Sequence, residues 1–294
     1  MPAILVTGAL GQVGQELQFH QPQYPDWSFT FIDRAEVDLT EPGAIQQFFA
    51  DHHFDFCINC AAYTAVDRAE TEAELATAVN TRAVEWLTEA CRQRRCRLIH
   101  LSTDYVYHNA LNRPLLETDP THPKSVYART KLAGDLLVRE RLPEAWVVRT
   151  SWVYSTYGHN FVKTMLRLGR ERDELGIVYD QVGTPTYARH LARALLRMIA
   201  RVVEGQEQAG GIYHYSNEGV CSWYDFALAI FAIEGIDCRV RPILTSAYPT
   251  PARRPPFSLL NKQKICRDFD LSIPHWRTGL TECLAALRLA DQQA

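Results

Sequence analysis

The chain has no apolar run near the roughly 18 residues that a membrane-spanning helix needs, so no span is expected. Charge of one sign is not in excess either. A formal charge of −3, with both signs interspersed, gives no general pull towards nucleic acid or an anionic membrane. The one basic run, Arg92-Gln93-Arg94-Arg95-Cys96-Arg97, closes a predicted helix, where cations complement the helix dipole and face solvent. Internal repeats and low-complexity tails are absent. The first strand starts two residues after Met1 and ends at a glycine turn, so no basic n-region or apolar h-region of a leader is expected. Cysteine is present but unpatterned, and eight in a chain of 294 residues make no disulfide framework. Cys57 and Cys60 do form a Cys-x-x-Cys, but inside Phe56-Cys57-Ile58-Asn59-Cys60-Ala61, which reads as a buried strand. Without a second ligand pair they are expected to be small buried hydrophobes, and no metal is expected there. A reducing cytoplasm fits this usage.

What is there is enough apolar sequence, 47% of the chain, to bury a large core as one or two domains. The first half alternates strands and helices. Ala3–Thr7 reads as a strand, a helix starts at Gln12, and Ser28–Asp33 is a second strand followed by a helix over Pro42–His52. Phe54–Cys60 is near-continuously apolar, as a strand covered on both faces is. A long helix is predicted over Ala69–Arg92 and a fourth strand over Arg97–Ser102. Pro123 precedes a helix carrying Tyr127 and Lys131, and Ala145–Thr150 is the fifth strand. This order implies an α/β fold, a Rossmann-type doubly wound parallel sheet with right-handed crossovers over residues 1–150. Beyond Thr150 the rhythm becomes irregular. It includes helices over Asn160–Arg172 and Arg189–Val203, strands over Gly176–Tyr179 and Gly211–Tyr215, a helix capped by Ser222, a proline-rich stretch from Pro242 to Pro256 and a last helix near Trp276. Residues 151–294 are therefore expected to form mainly a smaller C-terminal α/β substrate domain, with a segment near 180–210 rejoining the first.

Three segments carry chemistry. In Thr7-Gly8-Ala9-Leu10-Gly11-Gln12-Val13-Gly14, glycines follow the first strand and open the first helix. Gly8, Gly11 and Gly14, with Gln12 and Val13 between them, let the backbone turn sharply and approach a pyrophosphate at the helix N-terminus. The spacing Gly-x-x-Gly-x-x-Gly differs from the Gly-x-Gly-x-x-Gly of most dehydrogenases but serves a dinucleotide in the same way. Asp33 ends the second strand, where a carboxylate can bond the ribose hydroxyls of NADH, whereas Arg34 could meet the 2′-phosphate of NADPH. These two residues oppose each other and leave the cofactor preference open. Asp38 and Leu39 are expected beside the adenine, Asp38 being also a candidate helix cap. Ala61, Ala62 and Tyr63 leave the third strand where small residues let a cofactor lie close.

Tyr127 and Lys131 are one helical turn apart on one face. A cation beside the phenol is expected to favour phenolate and bring the tyrosine down into the range of an acid–base catalyst. Thr103 leaves the fourth strand at the same end of the sheet, placed to hydrogen-bond a carbonyl. Together the segments describe a nicotinamide-dependent enzyme acting on a carbonyl or alcohol.

These motifs resemble the extended short-chain dehydrogenase/reductases, and within them the dTDP-4-dehydrorhamnose reductase family. The likeness extends over nearly the whole chain: Thr7–Leu17, Asn59–Asp67, Leu101–Tyr107, Tyr127–Asp135, Arg149–Tyr154, Asn160–Leu166, Asp180–Thr186 and Arg254–Leu260. The resemblance implies a catalytic triad of Thr103, Tyr127 and Lys131, with Lys131 also holding the cofactor ribose. It implies that Asp104, Tyr105, Trp152 and Arg254 lie at the sugar nucleotide, and that the substrate is dTDP-4-dehydro-L-rhamnose. Asn261 and Ala128 depart from residues frequent in the family, away from this chemistry. Some members hold Mg2+ through acidic residues at a dimer contact. Glu16 matches one such position, but no full ligand set can be placed, so no metal is predicted; a homodimer is a candidate assembly. A sugar-nucleotide 4,6-dehydratase would need an acid and a base beside the threonine, and Tyr105 stands where the base belongs. An epimerase with tightly held NAD, or a non-catalytic regulatory subunit of a methionine adenosyltransferase, are the remaining alternatives.

Overall fold

The computed structural model describes residues 1–206 and 208–293. In chain order its strands are β1 (Ala3–Thr7), β2 (Ser28–Ile32), β3 (Phe56–Asn59), β4 (Arg97–Thr103), β5 (Trp146–Thr150), β6 (Val153–Tyr154), β7 (Glu174–Val178), β8 (Val182–Gly183), β9 (Thr186–Tyr187), β10 (Gly211–Tyr215), β11 (Cys221–Ser222) and β12 (Arg239–Ile243). The helices are α1 (Gln12–His20), α2 (Ala44–Asp51), α3 (Ala73–Thr77), α4 (Ala83–Arg94), α5 (Val126–Arg141), α6 (Phe161–Glu171), α7 (Ala188–Val203), α8 (Trp223–Glu234), α9 (Gln263–Phe269) and α10 (Trp276–Gln293). Six strands pair in parallel in the order β10-β5-β4-β3-β1-β2. The winding reverses between β1 and β3, and in such sheets the crevice for a ligand lies outside the carboxyl ends of the strands at that point.

Period-two alternation decides what each face of this sheet covers. Ile4, Val6, Phe56, Ile58 and Val148 pack under α1, α7 and α9. Leu5, Cys57, Leu98 and Val147 pack under α2, α4 and α5. Cys57, Cys91 and Cys96 thus serve as small apolar residues, and all eight cysteines are free thiols. The later part of the chain returns to this sheet three times: α7 and α9 cover its first face and β10 closes its edge beside β5. The remainder builds a second core from α6, α8 and α10, centred on Tyr154, Phe226, Ile230 and Trp276. Ser222 and Asp225 cap α8 reciprocally, as a capping box does.

The single helix expected over Ala69–Arg92 is broken. A 3-10 turn at Arg68–Glu70 precedes α3, and a π-helical turn at Ala78–Arg82 joins α3 to α4. Two local demands account for it. Asn80, fully buried on the π turn, spends its side chain on the backbone of Tyr63, accepting from its N–H (2.9 Å) and donating to its carbonyl (3.1 Å). Gly134 of α5 meets the same turn so closely that a Cβ there would lie 2.4 Å from the Asn80 carbonyl oxygen. Helix α2 starts two residues later than expected, with Gly43 at its N-cap, so Asp38 does not cap it; Asp38 accepts instead from Thr40.

At the carboxyl ends of the strands the face under α5 turns polar. Thr7, Asn59, His100, Arg149 and His214 occupy β1, β3, β4, β5 and β10, all buried, with Thr7 beside Asn59 beside His100 and Arg149 beside His214. Thr7 donates to Asn59 (2.7 Å), and Asn59 meets His100 Nδ1 (3.0 Å). Arg149 donates to Asp135 of α5 (3.0 Å) and to the Tyr107 hydroxyl (2.6 Å), which also meets His214 Nε2 (2.8 Å). Removing one partner of a buried ion pair strands the other, at a cost of about 3–5 kcal/mol. Asp135→Ala is therefore expected to lower stability by about that amount in chemical denaturation; a change under about 1 kcal/mol would show that α5 is held by other means.

Candidate active site

Gly8 turns the chain out of β1 with φ +68°, and a Cβ on it would lie 2.7 Å from the Ala61 nitrogen. Gly14 is equally constrained, since a Cβ would meet the Gly8 carbonyl oxygen at 2.3 Å. Only glycine lets β1, the end of β3 and the start of α1 come this close. The Gly11 N–H closes the turn on the Gly8 carbonyl (3.0 Å), and the Leu10 N–H donates to the Asp33 carboxylate (2.8 Å).

A cleft of about 270 Å³ opens beside this turn. Of the residues expected at the cofactor, Gly8, Gly11, Asp33, Arg34, Asp38, Leu39, Ala61 and Ala62 line it. Thr7, Ile32, Val37, Thr40, Cys60, Leu75 and Val79 line it as well; they were not picked out from the sequence. Leu75 and Val79 enter through the π turn and its approach, which no periodicity signals. Gln12, Val13, Gly14, Tyr63, Tyr127 and Lys131, also expected at the cofactor, are outside this lining. Val13 is core, Gly14 is a packing glycine, and Gln12 accepts from Asn160 (3.1 Å). Tyr63 sits with Tyr105, Val66 and Val126 against Tyr127, its hydroxyl on Glu72 (2.5 Å). The close-approach glycines, the helix start and the cleft fit the adenosine half of a dinucleotide.

Arg34 bonds Asp38 through Nε only (2.9 Å), and its side chain is 75% exposed. Both Asp33 oxygens already accept backbone N–H groups, from Leu10 and Arg34.

Ser125 caps α5, its hydroxyl accepting from Ala128, and Tyr127 and Lys131 follow within the first two turns. Thr103 ends β4 facing them. The Tyr127 ring meets Tyr105 edge-on, with centroids 5.7 Å apart. Lys131, buried, donates to the Leu101 carbonyl (2.7 Å). The expectation that Lys131 lowers the tyrosine is corrected here. Burial pushes the Tyr127 phenol up to about 12, opposed by the Thr103 hydroxyl and reinforced by Asp104 and Asp135. The ammonium ion is turned onto β4, and desolvation dominates. Burial also brings Lys131 down to about 8, with Asp135 and Cys60 opposing. Burial raises Asp104 to about 6, with Ser258 and Thr103 hydroxyls opposing.

Trp152 has φ +47°, a conformation rare for so large a residue, and stacks on Trp223 at 3.7 Å. Gly183 makes room, because a Cβ there would lie 3.0 Å from the Trp152 ring. Arg254 reaches across to Asp67 with two hydrogen bonds (3.1 and 2.7 Å), and its charge bears on Tyr105. Asp67, Ser258 and Trp223 were not singled out in sequence; Asp67 and Ser258 fall inside motifs that were.

Glu16 does not suit magnesium. Its buried carboxylate accepts from Ser155 (2.6 Å) and from Arg189 (2.7 Å), and the guanidinium ion occupies the place a divalent cation would need. Among the described residues no three His, Cys, Asp or Glu side chains gather as a ligand set. No helix of the described residues is long and apolar enough to cross a membrane.

A doubly wound parallel sheet, a glycine-lined nucleotide cleft at its carboxyl edge and a buried Thr-Tyr-Lys cluster beside it define a reductase of the short-chain dehydrogenase type. The RmlD substrate binding domain family matches residues 1–289, and the chain belongs to that family. It is 38% identical to the dTDP-4-dehydrorhamnose reductase of Aggregatibacter actinomycetemcomitans, over 95% of this chain and 97% of that protein. The crystal structure of a dTDP-4-dehydrorhamnose reductase from Clostridium acetobutylicum is similar with a TM-score of 0.91 at 38% identity, covering 97% of this chain and 99% of that one. One from Bacillus anthracis, in complex with NADP, has a TM-score of 0.91 at 34% identity, with coverage of 97% and 99%.

The exposed, singly held Arg34 leads to an expectation for cofactor choice. Arg34→Ala should raise KM for NADPH at least tenfold while changing that for NADH less than about twofold, since one charge-assisted phosphate contact is worth about 1.5–3 kcal/mol. Equal effects on both cofactors would place Arg34 away from the 2′-phosphate.

Proposed function

We propose that the chain reduces the C4 carbonyl of dTDP-4-dehydro-β-L-rhamnose to dTDP-L-rhamnose with NADPH or NADH, in the synthesis of cell-surface polysaccharide. The observations that support this reading are the burial of Thr103, Tyr127 and Lys131, with the Thr103 hydroxyl against Tyr127 and Lys131 donating to Leu101 of the same strand, in a chain that matches reductases of this name along its length. Cofactor binding is assigned mainly to residues 1–150, with Gly8, Gly11, Gln12, Val13, Gly14, Asp33, Arg34, Asp38, Leu39, Ala61, Ala62 and Tyr63 at or next to it. Substrate binding is assigned mainly to 151–294, through Trp152 and Arg254, together with Thr103, Asp104 and Tyr105. Eight free thiols support a reducing, cytoplasmic setting. A homodimer of this chain is the proposed assembly.

The nicotinamide, when bound, supplies the hydride. The chain's own residues do the rest. Thr103 is placed to donate to the carbonyl oxygen as negative charge develops on it. Tyr127 is a phenol throughout the neutral range, because burial raises it, so it holds the proton that the new alkoxide needs. Lys131 keeps two N–H donors besides the one spent on Leu101, enough for a ribose hydroxyl. Tyr105 is half-buried and raised well above its ordinary value by desolvation and by Asp104, so it cannot act as the base that a dehydratase requires.

Purified protein should oxidise reduced cofactor only when given dTDP-4-dehydro-L-rhamnose. Tyr127→Phe should lower kcat by a factor of about 10²–10⁴ without loss of cofactor binding. Full activity of that variant would remove Tyr127 from the chemistry. Turnover of a different keto sugar alone would correct the substrate and leave the mechanism standing.

A further inference from the structure

Asp104 stands beside the reacting groups without a part in the chemistry so far. It is 3% exposed, on the 3-10 turn that follows β4. The Thr103 hydroxyl donates to Asp104 Oδ1 (3.2 Å) and accepts from the Tyr105 N–H (3.2 Å), while Asp104 Oδ2 has no hydrogen-bond partner among the described residues. A hydroxyl has one proton to give. While Asp104 is ionised, that proton is committed to its carboxylate and is not free for a substrate carbonyl.

We propose that Asp104 is a positioning residue that switches the Thr103 hydroxyl between two orientations. Ionised, it holds the hydroxyl proton. Protonated, it donates its own hydrogen bond to Thr103 Oγ and releases that hydroxyl to donate to the carbonyl oxygen. The switch is a single protonation: Asp104 takes one proton from solvent as pH falls and returns it as pH rises, the hydrogen-bond directions reverse with it, and no other bond is made or broken. The inference rests on the reductase reading given above. The environment supports a carboxyl that titrates under working conditions, because burial raises Asp104 to about 6. The groups around it are mostly neutral. Tyr127 of α5 and Tyr105 of its own turn are phenols, Ser258 contributes a hydroxyl from the segment before α9, and the charges of Arg254 and Asp67 lie beyond Tyr105 and pair with each other. Among the described residues no cation pairs with Asp104, whereas Arg149 meets Asp135 at 3.0 Å.

The sign follows. Activity is higher below the Asp104 pKa and declines as pH rises through about 6. Losing one preorganised donor to a developing oxyanion costs roughly 10–10³ in rate. With NADH, which lacks the 2′-phosphate and its second pKa near 6, kcat/KM at pH 5 should exceed that at pH 8 by at least about tenfold. In Asp104→Ala that ratio should collapse to about one, and in Thr103→Val it should collapse too, because the switch then has nothing to turn. A wild-type ratio near one, or a ratio that survives either substitution, overturns the proposal. A second readout is independent of turnover and of the alanine variant's folding. The infrared band of a protonated carboxyl, taken as wild type minus Asp104→Asn, should disappear with a midpoint near 6. Its absence down to pH 4.5 overturns the proposal whatever the substrate is. Absence of turnover with every nucleotide sugar, beside a normal infrared titration, would instead count against the reductase reading.

Discussion

The buried ion pair between Asp135 on α5 and Arg149 on β5 fixes the helix that carries Tyr127 and Lys131 against the sheet that carries Thr103. Both side chains are almost wholly excluded from water, where an ion pair is worth having only if its remaining donors and acceptors are also met. Arg149 meets them through Tyr107, whose ring it also covers at 5.0 Å and whose hydroxyl is shared with His214. Desolvation and the neighbouring guanidinium hold His214 down at about 3, so it is neutral and can accept. His100, similarly kept neutral by burial, lies 3.8 Å from Asp135 and joins the row to Asn59 and Thr7 at the root of the glycine turn. Two hydrogen-bonded groups, Thr7–Asn59–His100 and Asp135–Arg149–Tyr107–His214, thus face each other across that 3.8 Å gap between the start of the cofactor cleft and the catalytic helix. Their strand members are neighbours in space and distant in sequence.

The same exclusion of water sets the protonation states. Desolvation penalises whichever form is charged, so it raises Tyr127 and Asp104 and lowers Lys131. For Tyr127 the result is a phenol that retains its proton until charge appears on the substrate. For Lys131 it is an ammonium ion still present at neutral pH but weakly enough held to respond to its surroundings, with Asp135 supplying the compensating negative charge. A helix held looser, with water in its interface, would lose both effects. The packing of Gly134 on the π turn is thus part of the chemistry at one remove.

Much of this was legible in the chain. The β-α-β-α order, the start of α1 and the glycine turn follow from period-two and period-3.6 patterns and from the steric freedom of glycine, and Gly211–Tyr215 was read as a strand with its observed bounds. Eight of the fourteen residues picked for the cofactor line the nucleotide cleft. What stayed hidden was non-local. Nothing near Ala78 announces a π turn, because its cause is an asparagine side chain satisfying a loop and a glycine on another helix. The strand Gly211–Tyr215 closes the first sheet because of its pairing with β5, which its own sequence does not specify. The shift of Tyr127 had the wrong sign because helical spacing shows that Lys131 is near, and does not show that its ammonium ion is turned onto Leu101.

A doubly wound sheet hosts many reactions, so reaction class has to be argued from the site and not from the fold. Here it turns on the residue after Asp104. An acidic side chain there could take a proton from carbon, and elimination would become available to the same triad. Tyr105 instead places a half-buried aromatic ring edge-on to Tyr127, its phenol raised by desolvation and by Asp104 and tied electrostatically to Arg254. It therefore removes a base and at the same time adds an apolar wall that keeps the Tyr127 phenol desolvated. Both consequences push in one direction, towards delivery of a single proton to oxygen. Asp104, left without an acidic neighbour, accepts from Thr103 and has the Ser258 hydroxyl beside it. The feature that closes off one reaction thus leaves the carboxyl free to govern the other.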